Sequence, residues 1–288
     1  MNNTQIRYHK TPLQWVVTFF KWALLIAWAA TTIVPLVWVL LNSFKSSDEI
    51  LRSSLSLPTS LDLSNYVTLV NYPDVNIPRA FLNSFIISGS VVLLVVICAS
   101  MASFALGRLK VRASTIIMAI LTACLLVPSF ATVIPNFVTI SHLSFAKGNW
   151  LAAILPQTAG NLCFSTIMMT GFMQSLPQEL DEAAIIDGAS VPTVFFRISL
   201  PLCRSIIATV AIMVFVWSYN DLFTSLVYIS ERSKQPICVI LSMVSNMFGT
   251  DYGAMMAAVV VTMLPLILLY IVAQEQVVSG LTAGAVKG

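Results

Sequence analysis

Long apolar runs separated by short polar stretches dominate the chain. A bilayer core takes about 20 apolar residues per helix. Trp22 to Leu41 holds no charged residue and predicts a first membrane helix. Phe85 to Leu106, Ala113 to Ile134, Trp150 to Met173, Ser205 to Tyr228 and Gly253 to Ala273 predict five more. Charges or turn residues bound each run. None alternates apolar and polar positions, as β-barrel strands do over about 10 residues. Pro35, Pro128, Pro156 and Pro265 fall inside the runs, and neighbouring membrane helices can satisfy the backbone groups that proline frees. Trp22 to Leu41 is too long for a cleavable signal peptide, and no small-residue cleavage site follows it. The expected fold class is an all-α membrane protein of six transmembrane helices.

Composition agrees with the pattern. Hydrophobic residues make up 58% of the 288 and charged residues only 9%, against about 25% charged in soluble domains. So few charges could not cover a water-soluble surface. The net charge of +3 is too small for a nucleic-acid binder. Placement of the cations says more. With both ends inside, the inner segments hold Arg7, Lys10, Lys21, Arg108, Lys110, Arg112, Arg197, Arg204 and Lys287. The outer ones hold Lys45, Arg52, Arg79, Lys147, Arg232 and Lys234. The short turn Gly107 to Arg112 carries three cations, and short loops weigh most in orientation. Both termini are therefore expected in the cytoplasm.

Enzyme chemistry is missing. The chain has no GxxxxGK[ST], HExxH, GxSxG or GxGxxG. His9 and His142 lie far apart without carboxylate-rich surroundings, and surface roles suit them better than metal ligation. Cys98, Cys124, Cys163, Cys203 and Cys238 form no CxxC pair and read as small apolar fillers. Only Asp221 brings a carboxylate near the membrane interior, toward the outer end of the fifth run, at the interface or a water-filled cavity. An ion-coupled secondary transporter would need more such groups, or repeats. A scaffold without a pore would leave two features unexplained. One is a polar stripe on the fourth run, Gln157, Asn161 and Ser165, spaced by four on one helix face. It suits either a path for a hydroxylated, uncharged solute or hydrogen bonding between helices.

The other feature is the inner segment from Gln174 to Cys203. Ser175 and Gln178 have the spacing of a capping box, with Pro177 in the first turn. Glu179, Asp181 and Glu182 follow, where a helix start favours negative charge. The helix is expected to stop at Gly188, and Ser190 to cap a second short helix ending before Leu200-Pro201. An acidic first arm is repelled by anionic lipid, so a protein partner explains this elbow better than a bilayer surface.

Glu182-Ala183-Ala184, Gly188, Ile198, Leu200 and Pro201 resemble the EAA loop of ABC importer permeases. The likeness runs along nearly the whole chain and is nearest to the smaller permease of the carbohydrate, maltose-type importers. Ser43-Phe44-Lys45, Asp48-Glu49-Ile50, Leu63-Ser64-Asn65-Tyr66 and Asn83-Ser84 resemble that group's outer segments. Ala102 to Arg108 resembles its second-span end, with Phe104 where Tyr is usual, and Gly280 to Gly288 its tail. Ser218-Tyr219 separate Trp217 from Asn220-Asp221, where the family often has Trp-Asn-Asp or Trp-Asn-Glu.

The resemblance implies a permease in the bacterial or archaeal inner membrane, paired as a heterodimer with a homologous permease. An ABC ATPase dimer would hold ATP and magnesium, and this chain would hold no cofactor. An extracytoplasmic binding protein would deliver a sugar or oligosaccharide, or alternatively a polyol or glycerol phosphate. Glu182, Ala183, Ala184, Asp187, Gly188, Ile198, Leu200 and Pro201 would couple to the ATPase. Gln157, Asn161, Ser165 and Asp221 would line the path, and the tail would reach the ATPase dimer interface. Residues 1–80 would form the amino-terminal segment, first helix and first outer loop. Residues 81–288 would form a five-helix core with the coupling loop at 174–203.

Overall fold

The computed structural model describes residues 12–71, 76–109, 111–247 and 251–285. Arg7, His9, Lys10, Lys110, Lys287 and the last residues of the tail, 286–288, lie outside the described residues. Every regular element among the described residues is helical. They are α1 Pro12–Asn42, α2 Ser47–Arg52, α3 Ser64–Val70, α4 Ile77–Gly107, α5 Ser114–Cys124, α6 Ser129–His142 and α7 Leu151–Ser175. There follow α8 Glu179–Ile186, α9 Val191–Leu202, α10 Arg204–Tyr219, α11 Leu222–Tyr228, α12 Ile237–Met247 and α13 Tyr252–Ala285.

Four helices are long and apolar enough to cross a membrane: Leu13–Asn42, Ile77–Gly107, Leu151–Ser175 and Tyr252–Gln274. The count reaches six when two bent pairs are each taken as one span. The expected straight third span is broken: α5 and α6 meet at 101°. Pro128 does not sit inside a helix but forms the N-cap of α6, with ψ 130°. Proline also drives the residue before it away from helical geometry, which separates the two pieces. The expected fifth span is shorter than the apolar run. It stops at Tyr219, and α9 and α10 meet at 74° beside Cys203.

Two compact units divide the described residues. One holds α1 to Leu69 together with the chain from Asp251 to Val260; the other holds Val70 to Met247 and α13 from Val261 onward. Within the first unit, Ser47 Oγ donates to Asp251 Oδ1 at 3.0 Å, which brings the start of α13 to α2. Lys45 is fully buried there and donates from Nζ to the carbonyls of Ser53, at 3.2 Å, and Ser56. Asn65 Nδ2 donates to the carbonyls of Ser43 and Lys45 at 2.8 and 2.9 Å. Gly253 fits against this knot because it lacks a Cβ, which would lie 2.6 Å from the Lys45 carbonyl oxygen.

The second unit is organised by a seam of small residues on α4. Ala80, Ser84, Ser88, Val95, Ala99, Ser103 and Gly107 recur about every fourth position and are buried. Small side chains let membrane helices approach closely. Ser103 Oγ donates to the Thr166 carbonyl of α7 at 3.0 Å. A Cβ on Gly107 would lie 3.4 Å from Met173 Cβ and the Thr170 carbonyl. Ile87, Val91, Met169, Met173, Ile206, Val210 and Val214 complete an apolar core of α4, α7 and α10. At one end of α4, Asn83 Nδ2 donates to the carbonyls of Ser233 and Gln235, each at 2.9 Å. The other end carries the candidate site.

Candidate functional site

The elbow is built by its own backbone. α8 ends with the Gly188 N–H donating to the Ile185 carbonyl at 3.0 Å and the Ala189 N–H to the Ala184 carbonyl at 2.9 Å. This is the Schellman pattern, which needs a left-handed residue after the cap. Gly188 supplies it with φ +83°. The expected capping box does not form. Ser175 is the last residue of α7, and its Oγ donates back to the Phe172 carbonyl at 2.6 Å. α8 starts at Glu179 with Gln178 in helical geometry and no side-chain cap. Ser190 precedes α9 as expected, but its hydroxyl pairs with that of Thr193 at 2.9 Å instead of capping a backbone N–H.

α9 also differs from expectation. It runs past Leu200-Pro201 to Leu202, with a π turn over Phe195–Ser199. Pro201 has no N–H to donate to the Arg197 carbonyl, and its ring crowds that oxygen. The widened turn relieves both. Phe195 is buried against Phe104 of α4, with ring centroids 5.1 Å apart. Leu200 packs on the same core. Ile198 is partly buried and Pro201 exposed.

These contacts sort the coupling candidates. Ala184 and Leu200 turn toward the chain's own core. Glu182, Ala183, Asp187 and Gly188 are exposed. Leu180, Ile185 and Ile186 are exposed beside them, Ile186 at 84%. The outward face of α8 is therefore acidic and apolar together.

The side chain that holds this face in place is Arg108, which follows α4 and is 2% exposed. Its Nε donates to Asp181 Oδ2 of α8 at 2.6 Å. Nη1 donates to the carbonyls of Met173 and Leu176 at 3.1 and 2.8 Å, and Nη2 to that of Pro177 at 2.9 Å. Carbonyls at the end of a helix lack partners inside it, and the guanidinium fork meets one in the last turn of α7 and the two that follow at Leu176 and Pro177. The sequence gives Arg108 only a share in the cationic turn. Its nearness to α7 is announced by Gly107, the position that lets α7 close on α4.

The polar stripe divides. Gln157 is buried and accepts a hydrogen bond from Ser218 of α10 through Oε1. Ser165 is fully buried in the helix packing. Asn161 lies between them and is partly exposed, with Nδ2 donating to the Gln157 carbonyl at 2.8 Å. Asp221 caps α11: its Oδ1 accepts the Thr224 N–H at 3.1 Å. Trp150 is partly buried and packs on the core. Among the described residues no cluster of His, Cys, Asp and Glu could hold a metal ion.

The pattern of the binding-protein-dependent transport system inner membrane component family matches residues 96–282. The chain belongs to this family. As a permease of an ABC importer it is a multi-pass membrane protein. It is 34% identical over 269 residues to a diacetylchitobiose uptake system permease of Streptomyces coelicolor, covering 92% of this chain and 87% of that one. It is 30% identical to a trehalose/maltose transport system permease of Thermococcus litoralis, covering 90% of this chain and 93% of that one. A probable starch degradation products transport permease of Thermoanaerobacterium thermosulfurigenes is also 30% identical, with coverage of 95% and 97%. The permease fold is that of a bacterial ABC transporter involved in alginate import, with TM-score 0.78 at 20% identity over 93% of this chain and 99% of that one.

Proposed function

We propose that this permease and a homologous one form, as a heterodimer, the path for a sugar or oligosaccharide. The extracytoplasmic binding protein delivers the solute, and an ATPase dimer holding ATP and magnesium drives the cycle. The sugar class rests on the solutes named for three relatives at 30% identity or more. The coupling assignment rests on one observation, the exposed acidic and apolar face of α8 held rigidly at the ends of α4 and α7. A partner with an apolar cleft edged by cations fits it. Glu182 pairs with such a cation, and Ala183 lets the surfaces close. The cationic turn near Arg108 supports a cytoplasmic elbow and cytoplasmic termini. Asn161 is the stripe residue open to a path.

One panel tests the reading, by uptake in cells and co-purification of the ATPase. Glu182→Lys and Gly188→Asp leave every span untouched. Both are expected to abolish uptake and release ATPase. Asn161→Leu is expected to lower uptake with the ATPase retained. Normal uptake and full ATPase association in both elbow variants would end the coupling assignment. A reporter cysteine at Ser190, labelled from outside by an impermeant thiol reagent, would reverse the orientation.

A further inference from the structure

We propose that Arg108 is a positioning residue that makes the elbow and the pore helices move as one body. The inference rests on the coupling role of α8. A push on an exposed short helix does work on the pore only if the helix cannot yield by itself. α8 has eight residues and buries none of them fully. Apolar packing alone holds it weakly: Ala184 is its single member against the core. The strong link is polar. One buried guanidinium grips the end of α7 through three carbonyls and α8 through Asp181, while its own backbone closes α4, the Arg108 N–H donating to the Phe104 carbonyl at 2.9 Å. Three elements thus share one planar group. A charged donor forked onto charged and neutral acceptors is strong and directional. Lysine cannot copy it, because an ammonium has no fixed fork.

The geometry separates two functions of this one side chain. The carbonyl contacts join α4 to α7 and belong to the fold. The Asp181 contact joins both to the elbow and belongs to transmission. Asp181→Ala cuts only the second. Arg108 keeps its three carbonyls, so the protein still inserts and folds.

The test uses the complete transporter in vesicles, with solute import and ATP hydrolysis measured together. Asp181→Ala is expected to retain the ATPase on co-purification and to hydrolyse ATP. Import per ATP is expected to fall about tenfold, the scale of an ordinary coupling free energy. Arg108→Lys serves as the second variant and is expected to fall in the same ratio. Both ratios are referred to the unsubstituted transporter, and Glu182→Lys, which releases the ATPase if the coupling role of α8 is right, serves as the control for that role. An unchanged import-to-ATP ratio in Asp181→Ala, with Glu182→Lys still releasing the ATPase, overturns the role of Arg108 alone. A Glu182→Lys protein that keeps its ATPase and transports normally overturns the reading beneath it.

Discussion

Two buried cations hold the two units together internally, and they do so with different chemistry. Lys45 sits in the first unit among neutral acceptors, the carbonyls of Ser53 and Ser56 and the Ser56 hydroxyl. Arg108 sits in the second unit among three carbonyls and a carboxylate. The lysine folds a segment of its own neighbourhood, eleven residues away at most. The arginine reaches residues 65 to 73 positions along the chain. A flexible stem with a point charge suits local closure, whereas a planar fork suits registration of separate helices. The difference teaches where the molecule must be rigid: weakly directional bonds serve the knot of the first unit, and directional ones serve the elbow.

The largest effect should come from emptying the Arg108 site. Arg108→Met leaves the partly buried Asp181 carboxylate and three carbonyls without their donor, and the cost approaches that of breaking a fully buried pair, about 3–5 kcal/mol. Thermal unfolding of the purified protein in detergent should drop steeply, with transport lost. Lys45→Met leaves only neutral acceptors, so the expected loss is about 1–3 kcal/mol, with import per folded molecule preserved. Equal losses in the two variants would erase the contrast. The smallest effect sharpens it from the other side. Ser56→Asp offers Lys45 an anion at an exposed position, and the gain should not exceed about 1 kcal/mol. A larger rise in melting temperature would mean that the Lys45 site lacked an ion pair for want of opportunity, not of need.

Much of this organisation was legible in the residues. The apolar runs marked the long helices α1, α4, α7 and α13, because a hydrophobic run reports the stretch that can sit in lipid, though α1, α4 and α13 extend well past their runs. Gly188 announced the elbow, because a left-handed turn admits few other residues. The breaks were harder. Pro128 reads the same inside a membrane helix or ahead of one, and only packing decides between them. Ser175 and Gln178 had capping-box spacing, yet α7 kept Ser175 for its own last turn. The polar stripe showed the right spacing but not its neighbours, so the bond between Gln157 and Ser218 was invisible. Arg108 was counted as charge when its geometry mattered more. An arginine just past the end of a long apolar helix needs acceptors, and the carbonyls at the end of α7, packed against α4, supply them.

The Schellman turn at Gly188 has a consequence for assembly. Fixing a loose chain costs about 1–2 kcal/mol of entropy per residue. The turn, the π-widened arm of α9 and the buried Phe195 meet that cost while the permease folds in the bilayer. On the proposed docking of the ATPase at α8, a partner arriving later meets a finished shape and has only its own approach to settle. Association can then be rapid and reversible without being loose, and its strength can be tuned at the few exposed positions of α8 while the scaffold behind them stays constant.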